Sequence, residues 1–270
     1  MTQSLRLVLA LLAAGIALAV SGGARAQAPA PKIGVVVMHG KAGSPGRHVA
    51  ELAAALEAKG CLVANLEMPW SGRRNYDVGV AAAEREVAAA LDALRARGAQ
   101  KLFVGGHSQG GHFALYLGGR LPVDGVIAIA PGGNSNSPQA REQVGEAVAL
   151  ARKRVGEGRG ESRTRLVDYE GARGAYPVAV APAVYLDWFA PDSPLNRVKP
   201  EHALNPAVPV LFIVPTRDYP GLLKVRQQRF AALPPNPRTE LYQPEASHTG
   251  APSASIDRIA EWMAAVAGAR

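Results

Sequence analysis

The chain has 270 residues, 48% of them hydrophobic and 19% charged. That balance excludes a disordered chain and supplies ample material for a buried core. Its 29 glycines and 21 prolines follow no fixed period, which excludes collagen-like structure, and the single cysteine, Cys61, rules out an internal disulfide or a Cys-rich zinc site.

The formal charge of +8 has to be read in two parts. Arg6 precedes an unbroken run of apolar residues and glycine from Leu7 to Val20, and Ala24-Arg25-Ala26 closes the segment. A basic start, a hydrophobic stretch and a small-residue exit form a secretory signal peptide over residues 1–26. The apolar run is shorter than the ~20 residues a membrane span needs. No cysteine follows it to accept a lipid. Cleavage after Ala26 removes Arg6 and Arg25 and no acid, so the charge falls from +8 to +6. The expectation is an exported protein, periplasmic or extracellular, with no stable membrane association after cleavage. The densest basic stretch, Arg141 to Arg165, contains no aromatic residue and reads as a solvated helix face, so no nucleic-acid partner is expected.

In chain order, β-rich runs alternate with helical patterns, as a parallel sheet with crossover helices requires. Strands are expected at Ile33–Met38, Cys61–Leu66, Lys101–Gly105 and Val123–Ala130. Between them fall helices at Pro45–Gly60, Val78–Arg97 and Gln109–Arg120. The alternation breaks from Asn134 to Asn205, where a charged helix at about Pro138–Val155 is followed by a segment of mixed pattern. It resumes with a strand at Val208–Pro215, a helix at Gly221–Leu233, a short strand at Thr239–Tyr242 and a closing helix at Ala251–Ala267. The fold class is therefore α/β, with a mostly parallel sheet of about six strands flanked by helices. Residues 134–205 are far longer than an ordinary connection and read as a cap.

Gly106-His107-Ser108-Gln109-Gly110 matches G-x-S-x-G between an apolar strand and a helix, the context that gives the motif meaning. A nucleophile on so sharp a turn needs neighbours without bulk, and Gly106, Gly110 and Gly111 supply them. The turn lifts the Ser108 hydroxyl to a helix N-terminus, where the Gln109 N–H can hold an oxyanion. A serine needs a base, and the base needs orienting. Of the six histidines, His39, His48, His107, His112 and His202 default to structural roles. His248 lies in a late loop able to reach the sheet's mouth. Asp218, just past the strand that begins at Val208, would fix the His248 tautomer. Asp124 lies at the wrong end of its strand, and Asp187 and Asp192 are weaker candidates in the cap.

The order Ser108…Asp218…His248 resembles that of the α/β-hydrolase superfamily, and the likeness spans essentially the whole chain from about Ile33. His39-Gly40-Lys41 after the first strand resembles that family's His-Gly oxyanion segment. The resemblance implies a second oxyanion N–H from Gly40 or Lys41, with Lys41 favoured, and a lid at Asn134–Asn205. The sequence departs from the lipase pattern in reading His-Gly-Lys-Ala-Gly where lipases carry His-Gly-Gly-Gly. It also lacks the first two strands of larger members.

His39, Gly40 and Trp70 stand as candidate substrate contacts. Trp70 and Arg73 either line an acyl or anion pocket, or belong to a surface loop anchored by Pro69 and Trp70. Tyr185, Trp188 and Phe189 either cover the serine from the cap or form the cap's own small core, the second being favoured because large aromatics bury area first. The resulting expectation is an exported serine hydrolase, foremost a carboxylesterase for a small-molecule ester or other acyl substrate, using no metal and no organic cofactor. A peptidase or amidase on the same triad, or a non-catalytic binding protein on this scaffold, are the alternatives.

Overall fold

Aliphatic runs without polar alternation suit strands covered on both faces. Six of them build one sheet in the computed structural model, which describes residues 31–133 and 135–268. The expected signal peptide lies outside the described residues. The first half runs β1 (Ile33–Met38), α1 (Ala50–Ala58), β2 (Leu62–Leu66), α2 (Val80–Ala96), β3 (Lys101–His107), α3 (Gln109–Gly118) and β4 (Gly125–Ile129). Then come α4 (Pro138–Gly156), β5 (Thr164–Glu170), β6 (Gly174–Val180), α5 (Pro182–Phe189) and α6 (Pro200–Ala203). The chain ends with β7 (Val210–Ile213), α7 (Pro220–Ala231), β8 (Glu240–Tyr242), α8 (Ala251–Ala254) and α9 (Ile256–Gly268).

The sheet order is β2-β1-β3-β4-β7-β8, and every pairing in it is parallel. From β1 the chain winds outward to β2, then crosses back so that β3 lies on the other side of β1. That reversal opens a crevice at the C-terminal ends of β1 and β3, the place where open α/β sheets bind ligands. It is also where His39-Gly40-Lys41 and Ser108 follow their strands.

Alternate strand residues feed two cores. Val35, Val37, Phe103, Ile127 and Ile129 pack under Leu52 and Leu56 of α1 and Ile259 and Trp262 of α9. Val36, Met38, Val104, Val126 and Phe212 pack under α2 and α3, and the same cluster takes in Leu166, Tyr185, Trp188 and Phe189 from the β4–β7 segment. Every residue of α3 is buried. The helix behind the candidate serine is thus held on all sides.

Four sequence expectations are corrected. The first helix begins at Ala50 instead of Pro45, because Gly46 weakens a helical start and turns closed by Arg47 N–H to Ser44 O and Ala50 N–H to Arg47 O occupy the interval. The mixed-pattern segment contains an antiparallel hairpin, β5–β6, with Val167 opposite Pro177. The closing helix is interrupted at Ser255, between α8 and α9. Cys61 is half-buried and lies one residue before β2, outside the strand.

Candidate active site

The tight turn between β3 and α3 follows from glycines without room for a side chain. A Cβ on Gly106 would stand 2.5 Å from the Gly110 carbonyl carbon. One on Gly110 would collide with the Met38 carbonyl oxygen, and one on Gly111 would come within 2.9 Å of Gly106 O. Ser108 at the apex has φ 54 and ψ −114, a conformation costing a non-glycine residue about 1–3 kcal/mol. The surroundings enforce it: Ser108 N–H donates to Ile129 O at 2.9 Å, and Ser108 O accepts from His112 N–H at 3.0 Å and Gly132 N–H at 3.1 Å. Ser108 occupies the position before α3 at which a hydroxyl commonly caps a helix, yet its side chain makes no capping bond. The hydroxyl is left for other partners.

Asp218 and His248 meet across 30 residues of sequence. His248 Nδ1–H donates to Asp218 Oδ1 at 2.6 Å, and both side chains are almost wholly buried. That bond fixes the tautomer that leaves Nε2 as the proton acceptor. The β7–α7 and β8–α8 loops that carry the two residues are tied by an isolated bridge between Arg217 and Ser247 and by Arg217 N–H to Ala246 O at 3.0 Å. Asp218 Oδ2 is buried without a hydrogen-bond partner among the described residues, and Asp218 and Arg226 both line a small hollow. Among the described residues no hydrogen bond joins Ser108 Oγ to His248. Such bonds are commonly long before substrate arrives.

Two rings brace the His248 imidazole. Tyr219 stacks on it with centroids 4.2 Å apart and planes 23° apart. On another side lies His107, whose Nε2–H donates to His248 O at 2.9 Å. Burial, reinforced by the neighbouring His248, lowers the His107 pKa to about 3, so His107 stays neutral and structural. The structural role expected of His107 is what it has. Nothing in the sequence marks Tyr219, whose contact is with a residue distant in sequence.

The candidate oxyanion segment lies against the serine. A Cβ on Gly40 would sit 3.2 Å from Ser108 Cβ, so the Gly40 backbone passes beside the elbow. Residues 40–43 form a turn closed by Gly43 N–H to Gly40 O at 3.1 Å, with Ala42 at φ 49, where type II turns need a positive φ. The Lys41 N–H makes no backbone hydrogen bond among the described residues. The Gln109 N–H, first in α3, points out of the helix end and is backed by its dipole.

His39 and Trp70 hold this loop. His39 Nδ1–H donates to Gly40 O at 2.7 Å, and Nε2 accepts from Met68 N–H at 3.0 Å. Burial lowers the His39 pKa, consistent with a neutral ring having one donor and one acceptor nitrogen. Trp70 Nε1–H donates to His39 O at 2.8 Å and packs against Phe113 and Trp188. Both side chains are engaged in scaffold. Arg73 is largely exposed and reaches Glu67 at 3.6 Å. The lesser acids have work elsewhere: Asp124 accepts from Lys101 Nζ and Leu102 N–H, Asp187 accepts from Val80 N–H at 2.6 Å, and Asp192 pairs with Arg152.

Tyr185, Trp188 and Phe189 are buried, as the expectation of a core role holds. They join the main core beneath the sheet, however, and do not form a separate one. The sequence gives no sign of Asp168, which lies on β5 and binds the Lys41 side chain at 2.5 Å. Among the described residues no group of three or more His, Cys, Asp or Glu is gathered to hold a metal ion. No helix among them is long and apolar enough to cross a membrane.

Comparison with known proteins accords with this architecture. The chain matches the model of the alpha/beta hydrolase family over residues 35–262. No match to a curated protein is found. Among solved structures, the monoacylglycerol lipase of Paleococcus ferrophilus is similar with a TM-score of 0.62 at 20% identity, over 86% of this chain and 94% of the lipase. A structure from work on LipS and LipT, two metagenome-derived lipolytic enzymes, gives a TM-score of 0.59 at 22% identity over 87% and 94% of the two chains. Est1E of Butyrivibrio proteoclasticus with bound ferulic acid gives 0.56 at 15% over 88% and 89%. At such identities the likeness to these structures is one of fold. With a parallel sheet, a strained serine at the switch point and a family match over most of its length, the chain belongs to the α/β-hydrolase family.

Proposed function

We propose that the protein is a serine hydrolase acting on carboxylic esters of small molecules through an acyl-enzyme on Ser108. The observation that carries the reading is the buried 2.6 Å bond from His248 Nδ1 to Asp218 Oδ1, in a pair tied through His248 O to His107, the residue next to a serine held at φ 54. A buried imidazole–carboxylate pair beside a strained, uncapped serine has a direct chemical use.

Ser108 Oγ attacks the ester carbonyl carbon as His248 Nε2 takes its proton. The carbonyl oxygen becomes an oxyanion held by the N–H groups of Gln109 and Lys41. Collapse breaks the bond to the alkoxy oxygen, which leaves as the alcohol with the proton from His248. Water then repeats the sequence on the acyl-serine, releasing the acid and restoring Ser108. Asp218 keeps its own charge and stabilises the imidazolium in both halves.

A short p-nitrophenyl ester tests the reading. Ser108→Ala should lower turnover by at least about 10³-fold with the fold retained by circular dichroism, and a fluorophosphonate should label wild-type Ser108. Undiminished hydrolysis by the variant overturns the assignment. Preference for a peptide or an anilide over the ester would redirect it to an amidase on the same residues.

The proposal extends to location and architecture. Residues 1–26 act as a cleaved export signal, and residues 134–205 act as a cap over the crevice. N-terminal sequencing of protein recovered from an extracytoplasmic fraction should begin at Gln27. A start at Met1 removes the export proposal.

A further inference from the structure

The lysine of the oxyanion turn does not point to solvent. Its Nζ is bound to Asp168 Oδ1 at 2.5 Å and donates to Tyr169 O at 3.0 Å, and the side chains of Lys41 and Asp168 are 5% and 0% exposed. The remaining capacity of Asp168 is filled as well. Tyr169 N–H donates to Oδ1 at 2.7 Å, while Tyr76 and Tyr176 hydroxyls donate to Oδ2 at 2.7 and 2.6 Å. Burial and the adjacent carboxylate push both tyrosine pKa values up, so the hydroxyls remain donors.

Such a site is a poor way to add stability. Two charges lose their hydration, and an apolar pair of similar volume commonly does as well or better. What the pair adds here is position. It joins β5, in the middle of the β4–β7 segment, to the residue whose amide is the expected oxyanion donor. Two residues at the junction are held in left-handed backbone conformations, Ala42 at φ 49 and Tyr76 at φ 53. For a bulky residue such as Tyr76 that conformation persists only when its surroundings enforce it, and its hydroxyl is one of the four donors on Asp168. Other restraints on the turn come from the β1 and β2 loops: Gly43 N–H to Gly40 O, Ala42 N–H to Trp70 O, and Trp70 to His39 O. Asp168 reaches the turn from β5, outside those loops, and the Phe189 ring under Lys41 Nζ adds a contact from α5.

We propose that Asp168 is a positioning residue for the hydrolysis, setting the Lys41 amide at the oxyanion site through the buried Lys41–Asp168 ion pair and coupling the β5–β6 hairpin to turnover. The proposal rests on the serine-hydrolase reading. It predicts a defect in transition-state stabilisation and not in substrate binding, because the pair lies behind the amide and touches no reacting atom. A displacement of the amide by ~1 Å is worth on the order of 10²-fold in rate.

The test compares wild type, Asp168→Asn, Lys41→Met and the double variant Lys41→Met/Asp168→Asn. Each is assayed for kcat and KM on a p-nitrophenyl ester, for the rate of fluorophosphonate labelling of Ser108, and for Tm. Both single variants should lose kcat on the order of 10²-fold with KM nearly unchanged, label more slowly, and lose Tm because one charge is left buried alone. The double variant has no orphaned charge, so its Tm should recover above that of either single while kcat stays low. Recovery of kcat together with Tm would show the pair to be merely structural and overturn the proposal. A raised KM at unchanged kcat would do the same, by assigning the pair to substrate binding. An unlabelled, inactive wild type would instead remove the serine-hydrolase reading itself, and this proposal with it.

Discussion

Gly110 lies where the first turn of α3 passes under the end of β1, and its missing side chain governs how closely the two can approach. A Cβ there would meet the Met38 and His39 carbonyl oxygens, both backbone atoms that cannot rotate away. Gly110→Ala should therefore push α3 off the strand, costing about 1–3 kcal/mol of stability from overpacking. Because Ser108 is two residues away, ester turnover should fall by more than the stability loss explains, as judged by kcat measured well below the melting temperature. Asp218→Asn acts on a different quantity. It keeps the shape but favours the wrong His248 tautomer, and kcat should fall on the order of 10⁴-fold at an almost unchanged Tm. Tyr219→Ala should be milder, about 3- to 10-fold in kcat, since it removes one stacked ring worth about 0.5–1.5 kcal/mol. The glycines and the serine were legible because a short motif states a steric rule. Tyr219 was not, because stacking on His248 is a fact of three dimensions.

At the scale of elements, what the sequence concealed has a physical reason. The sheet strands are apolar runs bounded by turns, so their existence and order could be read directly. The β5–β6 hairpin defeats the same reading at two points. Alternation along β5 buries Leu166 and Asp168 on one face, and an aspartate at an inward position erases the apolar half of the pattern. Pro177 in β6 argues against a strand, yet it is tolerated because among the described residues β6 pairs only with β5, leaving it an edge strand. The element missed is thus the one carrying the buried carboxylate. The helix after it bears on stability: Trp188 on α5 packs against Trp70, Tyr76 and Phe113, and its Nε1–H donates to Val78 O at 2.8 Å. Trp188→Ala should cost about 3–5 kcal/mol. Since the β4–β7 segment shares one apolar cluster with α2 and α3, the loss should appear as one earlier urea transition seen alike by fluorescence and circular dichroism. A separate, low-urea transition confined to this segment would show that it unfolds independently.

For the whole molecule, buried histidines set the response to acid. His112, in the first turn of α3, is fully buried with neither ring nitrogen hydrogen-bonded among the described residues. Burial, assisted by the nearby Arg229, lowers its pKa to about 4. The His107 pKa is lowered to about 3. Both lie below the unfolded value of about 6.5. Between that value and the folded ones the unfolded chain binds two protons at these histidines that the native protein does not, and His39, whose pKa burial also lowers, acts in the same direction, so stability rises with pH across the window. Their contribution is fully present above about pH 6.5 and is lost progressively as pH falls towards 4 and 3, each histidine contributing about 1.4 kcal/mol per pH unit. Urea midpoints should be flat above pH 7 and decline between pH 6.5 and 5, before most carboxylates titrate. His112→Leu is the informative variant: it removes one titrating group while breaking no hydrogen bond, and an apolar side chain of similar size suits a site that satisfies neither nitrogen. It should match or exceed wild-type stability at pH 7.5 and show a shallower decline between pH 6.5 and 5, with the slope differing by about one proton. An unchanged slope would mean that the His112 ring already carries its proton in the folded state, and the neutral, buried assignment would fall.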